Sequence, residues 1–558
     1  MRWIIRLIIS ILTICVIATL AFLFFIKKFI SEGKEEIFVS IKTIDRMPDI
    51  PSPFKMKNWK AIAVAYDKFV FNFSQKGKYL PLIALDKKYD SFILPSYVGQ
   101  PLREGGGEAI NLMAAVLGAT LVGINKSSQN GLNYISMLKA YYNPKIGIFL
   151  NERGGWGHKS FWYDIYPNIL MFSLLYYYPR EFQVMRNELY TTADTWYKVV
   201  MILKENNNIN FDHTAFDFEK MDPYDNGVWI EPDAAAGVAW IMYVAYKIWG
   251  EERFLNATKL CLNTLQNRET NPFYENLLPY AAYVAARMNA ELNTTYDVKK
   301  FIEWCFDASS IVRPGWGVIT GNWGGYDVNG LVGSTIDGGG YAFTMNTFAM
   351  AAPLVPLVRY DPRFAKPIGK WMLNVANNAR LFYPDALPQD YQSSAFWKGD
   401  PNHIIAYEGL RREWKGKSPY ATGDALRNGW APTDLGLYGS SHVGIFGGII
   451  DFTNDDKILR IDLLKTDFYH DPAYPTYLYY NPYTMEKFVK ITVGSEPKDI
   501  NDLVLHDFLV KNASGTVEIK IPAKSAIVIV LVPSGGSIKY FGKKMIINNI
   551  VVDYNYKK

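Results

Sequence analysis

Four carboxylates of the chain stand in settings where they could do acid–base work. Glu231 sits in "VWIEPD" beside Trp229 and Ile230, and apolar surroundings raise a carboxyl's pKa by penalising its charged form. It is the expected proton donor. Asp424 and Asp434 share "TGDALRNGWAPTDLG" with Arg427 and Trp430, and either would serve as an ionised partner. Asp337, in "GSTIDGGGYAF", completes the acidic set. One protonated and one ionised carboxyl flanking a bond is what glycosidic hydrolysis needs, with a wider gap where water must enter. Asp233, Asp337 and Asp434 also fit a plainer role, capping the helix that follows each.

Around these acids lie side chains that suit a sugar. Trp156, Trp229, Trp323 and Trp430 offer flat apolar faces, which match the C–H faces of sugar rings. The glycine-rich stretch from Gly321 to Phe343 carries Trp323, Asp327, Asp337 and Tyr341, and glycine lets backbone approach a ligand closely. "ERGGWGHKSFWYD" holds Arg153, Trp156, His158 and Tyr163, a set equally suited to gripping an acidic sugar. That opens a second chemistry, β-elimination in a uronate-containing glycan. It needs a Tyr or His base with a cation or amide to steady the negative charge, roles open to His158, Tyr163, Tyr341 and Arg153. His158 and His442, two of only six histidines, both fall near these loops. A third reading is a surface protein that binds glycans without turning them over.

Other chemistries lack their residues. There is no His-Glu-x-x-His, no cysteine pair at metal spacing, no phosphate-binding Walker loop and no Gly-x-Ser-x-Gly, which leaves metalloprotease, structural zinc, nucleotide hydrolysis and esterase readings unsupported. No metal or cofactor is expected. A net charge of +5 over 558 residues, without a long basic run, argues against nucleic acid as partner.

The elements that must position these residues are mostly helices. Segments near 108–124, 163–178, 233–249, 273–289, 341–357 and 433–450 are apolar or small on nearly every side, as helices buried all round should be. More amphipathic segments follow each, near 131–142, 181–204, 251–267, 297–308, 362–380 and 455–465. Six buried helices alternating with six half-exposed ones predict an inner ring inside an outer ring. Five of the six loops entering the inner helices pair glycine with an acid, so one face of the ring would gather carboxylates beside helix N-termini, whose free N–H groups favour negative charge. From about 466 the texture changes to short β-like runs such as "KFVKITVG" and "SAIVIVLVP", separated by Gly, Pro, Asn and Asp, which predicts a small β-sandwich.

This order of elements over residues 59–550 resembles the six-hairpin (α/α)6 toroid of many glycoside hydrolases with an appended β-sandwich. The resemblance implies a carbohydrate-active cleft at the ends of the inner helices, and it carries no catalytic residue over by position.

At the N-terminus, Arg2 and Arg6 precede an apolar run from Leu7 to Ile26, long enough to cross a bilayer as a helix. No small-residue cleavage site follows it, so residues 1–28 read as an uncleaved signal anchor. The lipid bilayer is then a partner through 7–26, and the bulk of the chain is expected outside the cytoplasm. Residues 29–58, with Pro48, Pro51 and Pro53, read as a linker to a toroid over 59–465, with the β-sandwich over 466–558.

Overall fold

The computed structural model describes residues 37–157, 159–206, 208–227, 229–308 and 312–556. The transmembrane anchor expected at 7–26 lies outside the described residues, as does His158. Among the described residues no helix is long and apolar enough to cross a membrane. Residues from Ser40 onward form one compact unit.

Its main helices are α1 (Trp59–Val70), α2 (Ala109–Leu121), α3 (Phe161–Tyr176), α4 (Arg186–Ile202), α5 (Ala234–Trp249), α6 (Glu252–Asn267), α7 (Leu278–Leu292), α8 (Val298–Phe306), α9 (Thr344–Ala349), α10 (Ala351–Tyr360), α11 (Ala365–Asn378) and α12 (Val443–Ile449). Contacts run from α2 to α3, α5, α7, α10, α12 and back to α2, so the inner helices close a ring. The remaining helices back it from outside: α4 and α6 lie on α5, α8 on α7, α11 on α10, and α1 on α12 and α2. A short turn of helix at Tyr134–Met137, with the 3-10 turn Leu138–Tyr141 against α2, takes the place of the longer outer helix expected at 131–142. This unit is an (α/α) toroid with strands appended.

Burial follows the sequence pattern. In α5 every residue from Ala234 to Ala245 is buried, whereas α6 buries Phe254, Leu255, Ala257, Thr258, Cys261, Leu262 and Leu265 at helical spacing and turns its polar side outward. Helix α5 ends at Gly250, whose φ of 71° is the left-handed cap that glycine adopts without strain.

The expected sixth outer helix at 455–465 is absent. Leu459–Asp462 is a strand there, with buried Leu459 and Ile461 alternating with half-buried Arg460 and Asp462, a period of two rather than 3.6. Helix α1 takes the outer place beside α12 instead. Part of the expected linker is also packed. Ile41, Ile44 and Met47 are buried, and Asn374 and Asn377 of α11 donate to the carbonyls of Pro48 (2.9 Å) and Pro53 (3.2 Å).

Two sets of strands complete the unit. Strands β1 (Trp316–Val318), β2 (Val332–Ser334), β3 (Tyr341–Phe343), β4 (Gly409–Arg411) and β5 (Tyr420–Thr422) form an antiparallel sheet in the order β5-β4-β3-β2-β1. Part of the fifth inner helix expected from 341 is therefore strand, and the helix begins at Thr344. Toward the C-terminus, β6 (Ile450–Phe452), β7 (Leu459–Asp462), β8 (Thr476–Asn481), β9 (Lys487–Asp502), β10 (Asp507–Ile521) and β11 (Ser525–Pro533) form a second antiparallel sheet, ordered β6-β7-β8-β11-β9-β10. Its longest pair, β9 and β10, is interrupted by register shifts between Thr492 and Asn501. Val489, Ile491 and Ile519 thus share a core with Tyr479, Ile527 and Ile529. A three-stranded sheet follows at Ile538–Phe541, Lys544–Ile547 and Ile550–Asp553.

Candidate active site

Glu231 lies three residues ahead of α5 and is 1% exposed. The backbone N–H of Trp162, in the first turn of α3, donates to its Oε2 at 2.8 Å, and the Trp229 indole N–H to its Oε1 at 3.3 Å. Burial pushes the Glu231 carboxyl up to about 8, a rise that the charge of Glu275 adds to and the donated hydrogen bonds oppose. Its surroundings thus favour the protonated form.

Glu275 occupies the matching place three residues ahead of α7. Its φ of 52° is left-handed, a conformation a non-glycine residue holds only where its surroundings enforce it. The surroundings do so: its carbonyl accepts from the Trp316 indole of β1 at 3.1 Å, and its Oε2 accepts from Asn346 of α9 at 2.7 Å. Burial raises its pKa, while the Arg313 guanidinium and the Asn346 amide act in the opposite direction. Glu231 and Glu275 line one cavity of about 230 Å³ with Trp162, Tyr163, Trp229, Tyr274 and Lys159.

Two further carboxyls converge on this face. Glu108 is the residue before α2 and accepts from the Ser96 hydroxyl (2.6 Å) and the Asn151 amide (2.9 Å). Glu408 precedes β4; its Oε1 accepts from the Tyr97 hydroxyl at 2.7 Å and its Oε2 from the Asp424 N–H at 2.5 Å. Burial carries Glu408 up to about 7 against those hydrogen bonds. Tyr163 ties the groups together: beyond its burial, the charges of Glu108, Glu275 and Glu231 all raise its pKa, and Tyr438 hydrogen-bonds to it. The face is therefore built from the entrances to α2, α3, α5 and α7, together with β4 and the loop before α12.

Of the residues singled out in the sequence, Glu231, Tyr163 and Trp229 meet in this cavity, and Tyr341 reaches Glu408 with its hydroxyl at 3.4 Å. Several others hold the scaffold instead. Asp434 accepts from the Leu426 N–H (2.8 Å), the Ser393 hydroxyl (2.6 Å) and the Thr422 hydroxyl (3.3 Å), so its carboxylate pins the loop. Asp327 is buried and accepts from Asn329 and from Asn378 of α11. Arg153 is buried in an ion pair with Asp86 at 3.0 Å and donates to the Gly106 carbonyl at 2.6 Å, and it lines the cavity beside Glu108 and Trp430 rather than that of Glu231. Asp337 caps no inner helix; it is clasped by Arg313 and lies 3.9 Å from Arg411. Asp424 pairs with Arg427 (2.8 Å) and Arg411 (3.4 Å). Asp233 stands at the start of α5 but accepts from the Tyr274 N–H at 3.1 Å rather than capping.

Trp323 is buried and packs beside Gly340. Trp156 is partly exposed under Lys145. Trp430, 57% exposed, lines a neighbouring cavity with Glu108, Glu152 and Arg103. His442 is buried, held neutral by that burial, and stacked on Tyr166. The glycine-rich stretch also has an internal purpose: a Cβ on Gly333 would stand 2.1 Å from the Tyr341 carbonyl oxygen, so glycine there permits β2 to lie against β3.

Sequence reasoning passed over Glu275 and Glu408. Glu275 lies in "FYENLLPY", whose loop is the one of six without a glycine texture, yet its offset from α7 equals that of Glu231 from α5. Glu408 is placed by strand pairing, which local spacing does not reveal. Among the described residues no group of three or more His, Cys, Asp or Glu is arranged to hold a metal ion.

The chain matches no protein-family model and no curated protein. Solved structures that resemble it include a D-mannose isomerase (8% identity, 69% of this chain and 98% of that one, TM-score 0.39). A sugar epimerase from a ruminal bacterium is similar over 74% and 100% of the two chains (10% identity, TM-score 0.38). A GH127 β-L-arabinofuranosidase from Geobacillus stearothermophilus T6 is similar over 89% and 85% (8% identity, TM-score 0.34).

Proposed function

We propose that the chain is a glycoside hydrolase in which Glu231 is the proton donor and Glu275 the ionised partner. The observation that carries this is the pairing of the two in one aromatic-lined cavity with unequal environments. Burial dominates at Glu231, whereas at Glu275 the Arg313 charge and the Asn346 amide oppose the burial. Unequal environments assign the acid and base roles to two otherwise identical groups. Trp229, 39% exposed at the cavity, is the surface on which a sugar ring would lie.

Hydrolysis is favoured over elimination by the tyrosines. Burial first, then nearby carboxylates, raise the pKa of both Tyr163 and Tyr341, the reverse of what a proton-abstracting base requires. As part of the same reading, the apolar run at 7–26 anchors the enzyme in the membrane with its catalytic part outside the cytoplasm.

The test is to incubate the chain from residue 40 onward with a panel of polysaccharides and follow new reducing ends and unsaturated-uronate absorbance together. Reducing ends without absorbance are expected, with turnover falling at least 100-fold in Glu231→Gln and in Glu275→Gln. Wild-type turnover in either variant would remove that residue from its role, and absorbance in step with reducing ends would replace hydrolysis by elimination.

A further inference from the structure

The charges around the cavity bear on the class of sugar it takes. Its lining carries two carboxyls, Glu231 and Glu275, and one cation, Lys159. That lysine is ion-paired with Glu152. Three arginines of the surrounding loops are likewise engaged: Arg313 by Asp337, Arg411 by Asp424 and Asp337, Arg427 by Asp424. Glu108 and Glu408 add further carboxyls to the same face, and the buried Arg153 is used by Asp86.

An acidic sugar entering here would bring its charge toward Glu275, the partner read as ionised, and find Lys159, the one cation among the described lining residues, already held by Glu152. Like charges at close range in a partly desolvated cavity repel strongly, and recognition of a carboxylate or sulfate normally uses an unpaired Arg or Lys. A neutral sugar meets none of this opposition and can use what the cavity does supply, the aromatic surface of Trp229, Trp162, Tyr163 and Tyr274.

We infer that the Glu231 cavity takes uncharged sugar units and excludes uronate and sulfated ones. The inference rests on the reading of this cavity as the reaction site. Its test keeps the two separable by measuring binding apart from turnover. The probes are 4-nitrophenyl glycosides of neutral hexoses, deoxyhexoses and pentoses, set against 4-nitrophenyl glucuronide and galacturonide. Turnover is followed with the wild type and equilibrium binding with Glu231→Gln.

At least one neutral glycoside should be bound and turned over, with uronides bound at least tenfold more weakly. Turnover of a uronide in preference to every neutral glycoside, lost in Glu231→Gln, would overturn the neutral-sugar class and leave the hydrolase reading standing. Binding of neutral glycosides without turnover of any substrate would leave the class standing and overturn the hydrolase reading. No binding of either kind would overturn both. A second variant probes the cause: Glu152→Gln frees Lys159 beside the cavity and should strengthen uronide binding about tenfold, while neutral glycosides bind as before. An unchanged preference in that variant would overturn the electrostatic basis of the inference.

Discussion

A carboxyl held protonated by burial leaves two separate signatures in pH. The first is in turnover: with Glu231 lifted to about 8, activity that needs its proton should be flat near neutrality and fall about tenfold per pH unit above that value. A pH–rate profile measures it, and an alkaline limb that persists unchanged in Glu231→Asp would assign the limb to another group. The second is in stability. The folded pKa lies above the ordinary 4.5, so between those values the native state holds a proton that the unfolded state has released. Stability is therefore present at acid pH and drains away as pH rises toward 8. Glu231→Gln carries no such charge, so its Tm relative to wild type should climb from pH 5 to about pH 8 and then level off, which thermal melts from pH 5 to pH 9 would show. Glu231 was legible in the sequence because "VWIEPD" places its apolar neighbours beside it. The surroundings of Arg153 and Asp434 were not legible for the opposite reason: charge and loop position are visible in a sequence, but their Asp86 and Ser393 partners arrive from 67 and 41 residues away.

Elements were legible where their burial pattern is one-dimensional. The all-round apolar texture of α5 and α7 and the stripe of α6 follow from helical period alone, whereas the β1–β5 sheet is assembled from three-residue strands as far apart as Trp316 and Thr422, too short to carry a period. The inner helices are also joined at their C-terminal ends by a device that only the fold reveals. Asp467, fully buried, accepts from Arg359 of α10 at 2.7 Å, from Tyr360 at 2.9 Å and from Tyr283 of α7 at 2.5 Å. Arg287 of α7 donates to the carbonyls of Phe468 and Tyr469 beside it. One carboxylate thus balances charge between two neighbouring inner helices, and removing it strands a buried arginine. Breaking such a pair costs about 3–5 kcal/mol, so Asp467→Asn should lower the Tm by several degrees. Because the cluster lies at the helix ends remote from Glu231, KM should stay as in the wild type below the melting range. An unchanged Tm would mean that the Tyr360 hydroxyl, which Arg359 also reaches at 2.9 Å, satisfies it alone.

At the scale of the whole molecule, a ring needs a seam, and here the seam is glycine against glycine. Helix α12 meets α2 where a Cβ on Gly444 would lie 2.2 Å from the Gly118 Cα, and a Cβ on Gly118 would lie 2.9 Å from the Ser441 carbonyl oxygen. Both obstructions are backbone, so neither is relieved by a side chain swinging aside. The seam also brings the two ends of the ring into one site: the Val98 N–H donates to Leu435 at 2.9 Å, the Tyr438 N–H to Ser96 at 3.1 Å, and the Tyr97 hydroxyl to Glu408 at 2.7 Å. Gly444→Ala must therefore push α12 from α2, at a cost of about 1–3 kcal/mol for overpacking. The same displacement would pull Glu408 from Tyr97 while leaving Glu231 and Glu275, on the α3, α5 and α7 side, in place. The expected result is a lowered Tm together with turnover that weakens more than Tyr97→Phe alone would cause. The alkaline limb set by Glu231 should stay where it is. A shift of that limb in Gly444→Ala would show that the acid pair depends on ring closure too, so that the cavity is strung across the whole toroid and not held by its own three helices.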